Sequence, residues 1–161
     1  IRKAFRMFSG TARRLEFKGE KHKAVVYDDY GHHPNEIKAT IGALRDHVRE
    51  RRLVVVFQPH RYTRLRDTFE QFATCLNDAD VAVIAPVYAA GEKPIEGISR
   101  DSYAEALRAH GHRNVITIEG EDDLAAAVAP YVKPGAAIIG TGAGSITGWM
   151  NNLPKKLEGL T

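Results

Sequence analysis

The chain has 161 residues, 43% hydrophobic and 27% charged, which suits one soluble domain with a sizeable core. Its formal net charge of +3 hides a lopsided distribution: residues 1–66 carry 16 Lys and Arg against 7 Asp and Glu, and residues 67–161 carry 7 against 13. No run approaches the roughly 18 apolar residues of a membrane span, IRKAFRMFSG has charges where a signal peptide needs an apolar centre, and the one cysteine, Cys75, excludes an intramolecular disulfide and fits a reducing, cytoplasmic compartment. The dipolar charge pattern points to an anionic partner on one face.

Residues 1–22 read as a segment arriving from a preceding domain, an expectation strengthened by a first residue that is Ile rather than Met. Ile1, Phe5 and Phe8 suit the tail of a helix, and Arg14–Lys18 an added edge strand. Residues 23–161 then form the domain proper. Five short β-branched runs follow: Lys23–Tyr27, Leu53–Phe57, Val81–Ala85, Val115–Ile118 and Ala136–Ile139. They barely alternate, as expected of strands covered on both faces.

Helical patterns fill the intervals. Ile37, Ile41, Leu44 and Val48 recur at helical steps after Pro34, a residue favoured in a first turn. Leu65, Phe69, Phe72 and Leu76 predict one further helix, with Cys75 a buried structural thiol on it. Tyr103, Ala106, Leu107 and His110 mark a weaker one. Leu124, Ala127, Val128 and Tyr131 make a short helix whose Glu121, Asp122 and Asp123 suit its positive N-terminal end. Ile146, Trp149, Met150 and Leu153 complete the last. Strand alternating with helix predicts a three-layer α/β fold, a mainly parallel sheet with helices on both faces. Pro86 to Arg100 makes a loop of about fifteen residues, long enough to suggest a function.

Ligands of such sheets bind beyond the carboxyl ends of the strands. The first strand runs into DDYGHHP, where carboxylates can take ribose hydroxyls or a proton and imidazoles can titrate or stack. The alternatives are a helix-capping turn in which Asp caps and Pro opens the helix, or a zinc site, for which adjacent histidines without a nearby Cys argue poorly. The second strand runs into PHRYTRLR. Arg61 and Arg64, three apart at a helix start, can present guanidiniums to one carboxylate or phosphate, with the helix N-terminus adding positive charge. Arg45, Arg49, Arg51 and Arg52 read as a solvated helix end. The third strand leads to Tyr88, Gly91 and Glu92. GTGAGS after the last strand misses GxGxxG spacing and serves phosphate binding or packing equally well. No GxxxxGK[ST] occurs, so this chain has no ATP cradle of that type. His22, His47, His110 and His112 sit in surface contexts and are expected to be exposed.

At DDYGHHP, FQPHRYTR, VYAAGE and the closing GAGSI, the sequence resembles the C-terminal domain of the Mur ligases of peptidoglycan synthesis, in the branch that adds L-alanine to UDP-N-acetylmuramate. The resemblance runs from about Phe8 to Leu157, and four motifs in order make it specific. It implies a Rossmann-like sheet that closes over ATP and brings the amino acid. The preceding N-terminal and central domains of the same polypeptide would hold the UDP-sugar, the P-loop and the Mg2+ ligands, so no metal site is expected in this chain. It implies that ATP phosphorylates the muramate carboxylate and that the alanine amine attacks the acyl phosphate. Arg14 would reach the transferred phosphate as the catalytic residue. Asp29 would meet the nucleotide ribose, with His32 and His33 on the nucleotide side. Tyr30, His60, Arg61 and Arg64 would hold alanine through its carboxylate. The isolated domain is expected to be inactive.

The sequence departs from the family at Pro86-Val87, where an acidic residue usually precedes the tyrosine, and at Ser9–Ala12, where a Gly-Val turn is usual. A murein peptide recycling ligase shares the HHP turn but differs at Tyr30-Gly31 and PHRYTR. A stand-alone nucleic-acid binder would explain the pI of about 9.0, yet the aromatics do not interleave with basic residues on one sheet face, so no nucleic acid and no membrane partner is expected.

Overall fold

The computed structural model describes residues 13–159; the helix expected around Ile1, Phe5 and Phe8, and the Ser9–Ala12 departure, lie outside them. Six strands form one sheet in the order β1-β2-β6-β3-β4-β5: β1 (Glu16–Lys21), β2 (Ala24–Asp29), β3 (Leu53–Phe57), β4 (Val81–Ile84), β5 (Val115–Thr117) and β6 (Ala137–Thr141). All neighbours run parallel except β1, which pairs antiparallel with β2 and carries a register shift between Phe17 and Gly19. The edge strand therefore exists, displaced toward the turn at His22 and Lys23.

The helices are α1 (Pro34–Val48), α2 (Tyr62–Asp67), α3 (Phe69–Cys75), α4 (Arg100–Ala109), α5 (Glu121–Val128) and α6 (Ile146–Glu158). Each central strand sends alternate side chains to opposite layers, as the period of two requires. Tyr27, Val55, Phe57, Ile84 and Ile139 pack against Ile37, Ile41 and Leu44 of α1, Phe72 of α3, and Tyr103 and Leu107 of α4. Val26, Val54, Val56, Val83 and Ile138 pack against Leu124 and Val128 of α5 and Met150 and Leu153 of α6. Two apolar layers on one sheet give the three-layer α/β fold that the unalternating strands predicted.

Three expectations need correction, and one alternative reading is settled. The helix predicted over Leu65–Leu76 is two helices. Thr68, at φ −124°, leaves the helical region, and its hydroxyl donates to the Arg64 carbonyl at 2.8 Å, competing with the ladder. His112 is buried, 6% exposed, because Gly111 at φ +96° turns the chain back so that the His112 amide reaches the Leu107 carbonyl. Burial pushes the His112 pKa below the usual histidine value. Arg45 is not a solvated charge: its guanidinium holds the Asp80 carboxylate at 2.8 Å and the carbonyls of Asp78, Arg49 and Arg51. Finally, α1 is capped by His33, whose Nδ1 accepts from the Asn35 amide, while Glu36 accepts from the His33 amide. Asp is not the cap.

Cys75 is buried as expected. Its thiol is pushed up to about 12 by burial, with the Tyr103 hydroxyl 3.9 Å away.

Candidate functional site

The carboxyl ends of β2, β6 and β3 lie side by side, with Asp29 beside Thr141 and Thr141 beside Phe57. The helix leaving β6 lies on the opposite face of the sheet from those leaving β2 and β3. Outgoing chains that diverge in this way open a crevice at the strand ends. The sequence places its polar motifs in that crevice.

On the β2 side, Arg14, Asp29, Tyr30, Glu36 and Thr40 border a cleft of about 490 Å3. Arg14 is exposed to it. Asp29 is buried, and both its oxygens are engaged: Oδ2 accepts from the Leu15 amide at 3.0 Å, and Oδ1 from the Gly31 amide at 2.8 Å and the Thr40 hydroxyl at 3.5 Å. Asp29 thus shapes the turn after β2 and ties the start of β1 to it. Its neighbour Asp28 faces the other layer, wholly buried, with Oδ2 accepting from Thr147 at 3.0 Å and from Arg13 Nε at 3.3 Å.

Arg13 went unassigned in the sequence and proves central. Beside its bond to Asp28, its Nη2 donates to the Gly142 carbonyl at 2.7 Å, and its guanidinium lies 4.7 Å from the Tyr30 ring centre. Its carbonyl accepts from the Tyr30 amide at 2.6 Å. Arg13 thereby ties the start of β1 to the carboxyl ends of β2 and β6. Two signals were present in the sequence: the doubled arginine beside Arg14, and a second aspartate in DDYGHHP that needed a counter-charge once its strand was buried on both faces.

A row of rings continues from Tyr30 across the crevice. Tyr30 meets His32 edge-on at 5.0 Å, His32 lies 6.1 Å from His60, and His60 stacks on Tyr88 at 5.4 Å with an interplanar angle of 11°. Tyr30 and Tyr88 are among the most exposed large aromatics of the described residues. Arg64 Nη1 meets His60 Nδ1 at 3.0 Å and donates to the His60 carbonyl at 3.1 Å. Burial first, then the charges of Arg64, His32 and Arg61, hold the His60 pKa below the usual histidine value. His60 is therefore a neutral acceptor for Arg64, and the positive charge of the cluster sits on the arginines.

The structure thus brings together Arg14, Asp29 and Tyr30 around the cleft, and Tyr30, His32, His60 and Arg64 along the ring row, with exposed Arg61 heading α2. His33 is spent as the cap of α1. The N-terminus of α2, expected to add positive charge to an anion site, is already filled: Glu92 accepts from the Thr63 amide at 3.0 Å and from its hydroxyl at 2.6 Å. The GTGAGS turn serves packing. A β-carbon on Gly144 would meet Tyr88 Cγ at 2.6 Å, and one on Gly142, at φ +146°, the Gln58 carbonyl oxygen at 2.7 Å. Gln58 Oε1 accepts from the Ile146 amide at 3.1 Å, so this side chain holds the start of α6. Among the described residues no three His, Cys, Asp or Glu side chains gather as a metal site, and no helix is long and apolar enough to cross a membrane.

Comparison with known proteins places the fold and the family. The family described as "Mur ligase, glutamate ligase domain" matches residues 13–144. The UDP-N-acetylmuramate–L-alanine ligase of Rhodospirillum centenum is 50% identical over 160 residues, covering 99% of this chain and 33% of that protein. The chain thus spans about a third of the length of the curated relatives it matches. The fold is that of the UDP-N-acetylmuramate-alanine ligase of Thermotoga maritima, at a TM-score of 0.76 with 23% identity over 96% of this chain and 32% of that one. A murein peptide ligase of Psychrobacter arcticus shares the fold at a TM-score of 0.74 and 22% identity, over 94% of this chain and 31% of that one. A mainly parallel sheet with a cationic, aromatic-lined carboxyl edge, in a chain that the family matches over most of its length, makes this chain a member of the Mur ligase family, glutamate ligase domain.

Proposed function

We propose that this chain is the C-terminal domain of an ATP-dependent ligase that joins L-alanine to UDP-N-acetylmuramate through an acyl phosphate. The observation that carries the reading is the Arg64–His60 pair beside Arg61: two guanidiniums next to an imidazole held neutral. Such a pair grips a carboxylate without a competing proton donor of uncertain charge. Alanine held by its carboxylate presents its amine to the acyl carbon. The amine forms the new C–N bond, phosphate departs with the electron pair of the C–O bond, and the ammonium proton leaves to solvent. Arg14, exposed at the rim of the cleft, would face the phosphoryl group and stabilise the charge that develops there. ATP would bind against the cleft bordered by Asp29 and Tyr30, with Asp29 shaping the turn that meets the ribose and His32 beside it. Mg2+, which would neutralise the phosphates, takes its ligands from the preceding domains, as does the UDP-sugar.

Identity near 50% across almost the whole chain to a protein of that name supports the substrate pair, and the likeness to the murein peptide ligase supports the fold alone. The test is Arg64→Ala in a full-length ligase that contains this chain. Alanine KM should rise far more than ATP KM; equal increases would remove the carboxylate grip. The isolated chain should show no turnover, because the phosphate cradle and the tethered closure lie elsewhere. Turnover by the 161 residues alone would refute that division of labour.

A further inference from the structure

Arg64 rides on α2, and little in that helix holds it. Six residues are far too few for a stable helix in isolation. Arg61 at the N-cap makes no side-chain capping bond, and the first turn has no acidic residue. Arg61 also sits at φ +71° and ψ 132°, a region that residues with a β-carbon rarely visit and that must be imposed by surroundings.

The loop after β4 imposes it. The Tyr88 amide donates to the Pro59 carbonyl at 2.8 Å, and the Tyr88 carbonyl accepts from the Arg61 amide at 2.8 Å, so Tyr88 brackets His60 and fixes the amide of the strained residue that follows it. Its ring stacks on His60, and Gly144 packs behind it, where a side chain would collide with its Cβ and Cγ. Four residues on, Glu92 closes both of its oxygens on Thr63. These bonds hold its carboxyl below the usual range, and its charge lies at the positive end of α2.

We propose that Glu92 is a positioning residue for the His60–Arg61–Arg64 cluster, acting with Tyr88 as a clamp that fixes where the two guanidiniums point. The inference rests on the alanine-carboxylate reading and adds the element that shapes the grip. It gives VYAAGE and GTGAGS one joint purpose, the second motif backing the tyrosine of the first.

The test uses Glu92→Ala and Glu92→Gln in the full-length ligase, with Arg64→Ala beside them. Glu92→Ala should raise alanine KM roughly three- to thirtyfold, the range of a lost helix cap, with kcat and ATP KM within about twofold. Glu92→Gln keeps an acceptor for the Thr63 amide and should recover most of the loss. Amide exchange across residues 60–68 should quicken in the alanine variant and less in the glutamine one. Unchanged exchange there overturns the proposal whatever the kinetics. Quickened exchange with unchanged alanine KM also overturns it, provided Arg64→Ala raises that KM. If Arg64→Ala leaves alanine KM untouched while exchange quickens, the clamp stands and the alanine reading fails.

Discussion

Replacing Arg13 by alanine tests how the β1–β2–β6 corner is held. The Asp28 side chain is fully buried, the Arg13 side chain 22% exposed, and Asp28 Oδ1 is buried without a hydrogen-bond partner among the described residues. Removing one member of a buried ion pair typically costs about 3–5 kcal/mol, because the other charge is stranded. Here the contact is a single one at 3.3 Å, and Thr147 continues to donate to Oδ2. The cost should therefore fall at the low end, about 3 kcal/mol, which for a domain of this size is a Tm loss of about 6–12 °C. In an Asp28→Asn background no charge is stranded. Arg13→Ala then forfeits only the Gly142 hydrogen bond and the Tyr30 contact, about 1–1.5 kcal/mol. Thermal unfolding of the chain and its three variants, followed by circular dichroism, gives the coupling directly. If Arg13→Ala costs the same in both backgrounds, to within about 0.5 kcal/mol, the pair is not what holds the corner.

Other consequences are open to measurement. Because the folded protein keeps His60 neutral to a lower pH than free imidazole, alanine KM in the full-length ligase should stay flat as pH falls through the ordinary histidine range near 6.5 and rise only below it. A KM that inflects above that value contradicts a neutral acceptor for Arg64. Cys75, 2% exposed and with its thiol pushed up to about 12, should resist a thiol-disulfide reagent at pH 8 in the native chain and react fully in denaturant; prompt native labelling would show the thiol to be accessible. Gly142→Ala should destabilise by about 2–3 kcal/mol in urea, since φ +146° and the Gln58 carbonyl oxygen both oppose a β-carbon there. A midpoint within error of the parent would mean the turn relaxes freely.

The central strands and most helices were legible because burial on both faces writes continuous apolar runs and helical packing writes steps of three and four. Leu53–Phe57 and the face of Ile37, Ile41, Leu44 and Val48 need no partner to be recognised. The polar edge was legible too, since strands of this kind place DDYGHHP and PHRYTR at one end of the sheet. What the pattern could not reveal depends on contacts between segments far apart in the chain. Thr68 breaks a helix whose apolar spacing runs straight through it, and His112 enters the interior on a glycine turn that any surface loop might contain.

By itself, then, the sequence determined the layers, the polar edge and the family resemblance, all of which depend on local periodicity and short motifs. Tertiary structure alone decided which of the candidate groups are spent on holding the fold. It engaged both oxygens of Asp29 with backbone and Thr40, made His33 a cap, drew Arg13 across 129 residues of chain to Gly142, and placed Glu92 on a helix 29 residues earlier. Buried charges and uncapped helix ends must find partners wherever the fold brings them, and sequence proximity says nothing of where that will be.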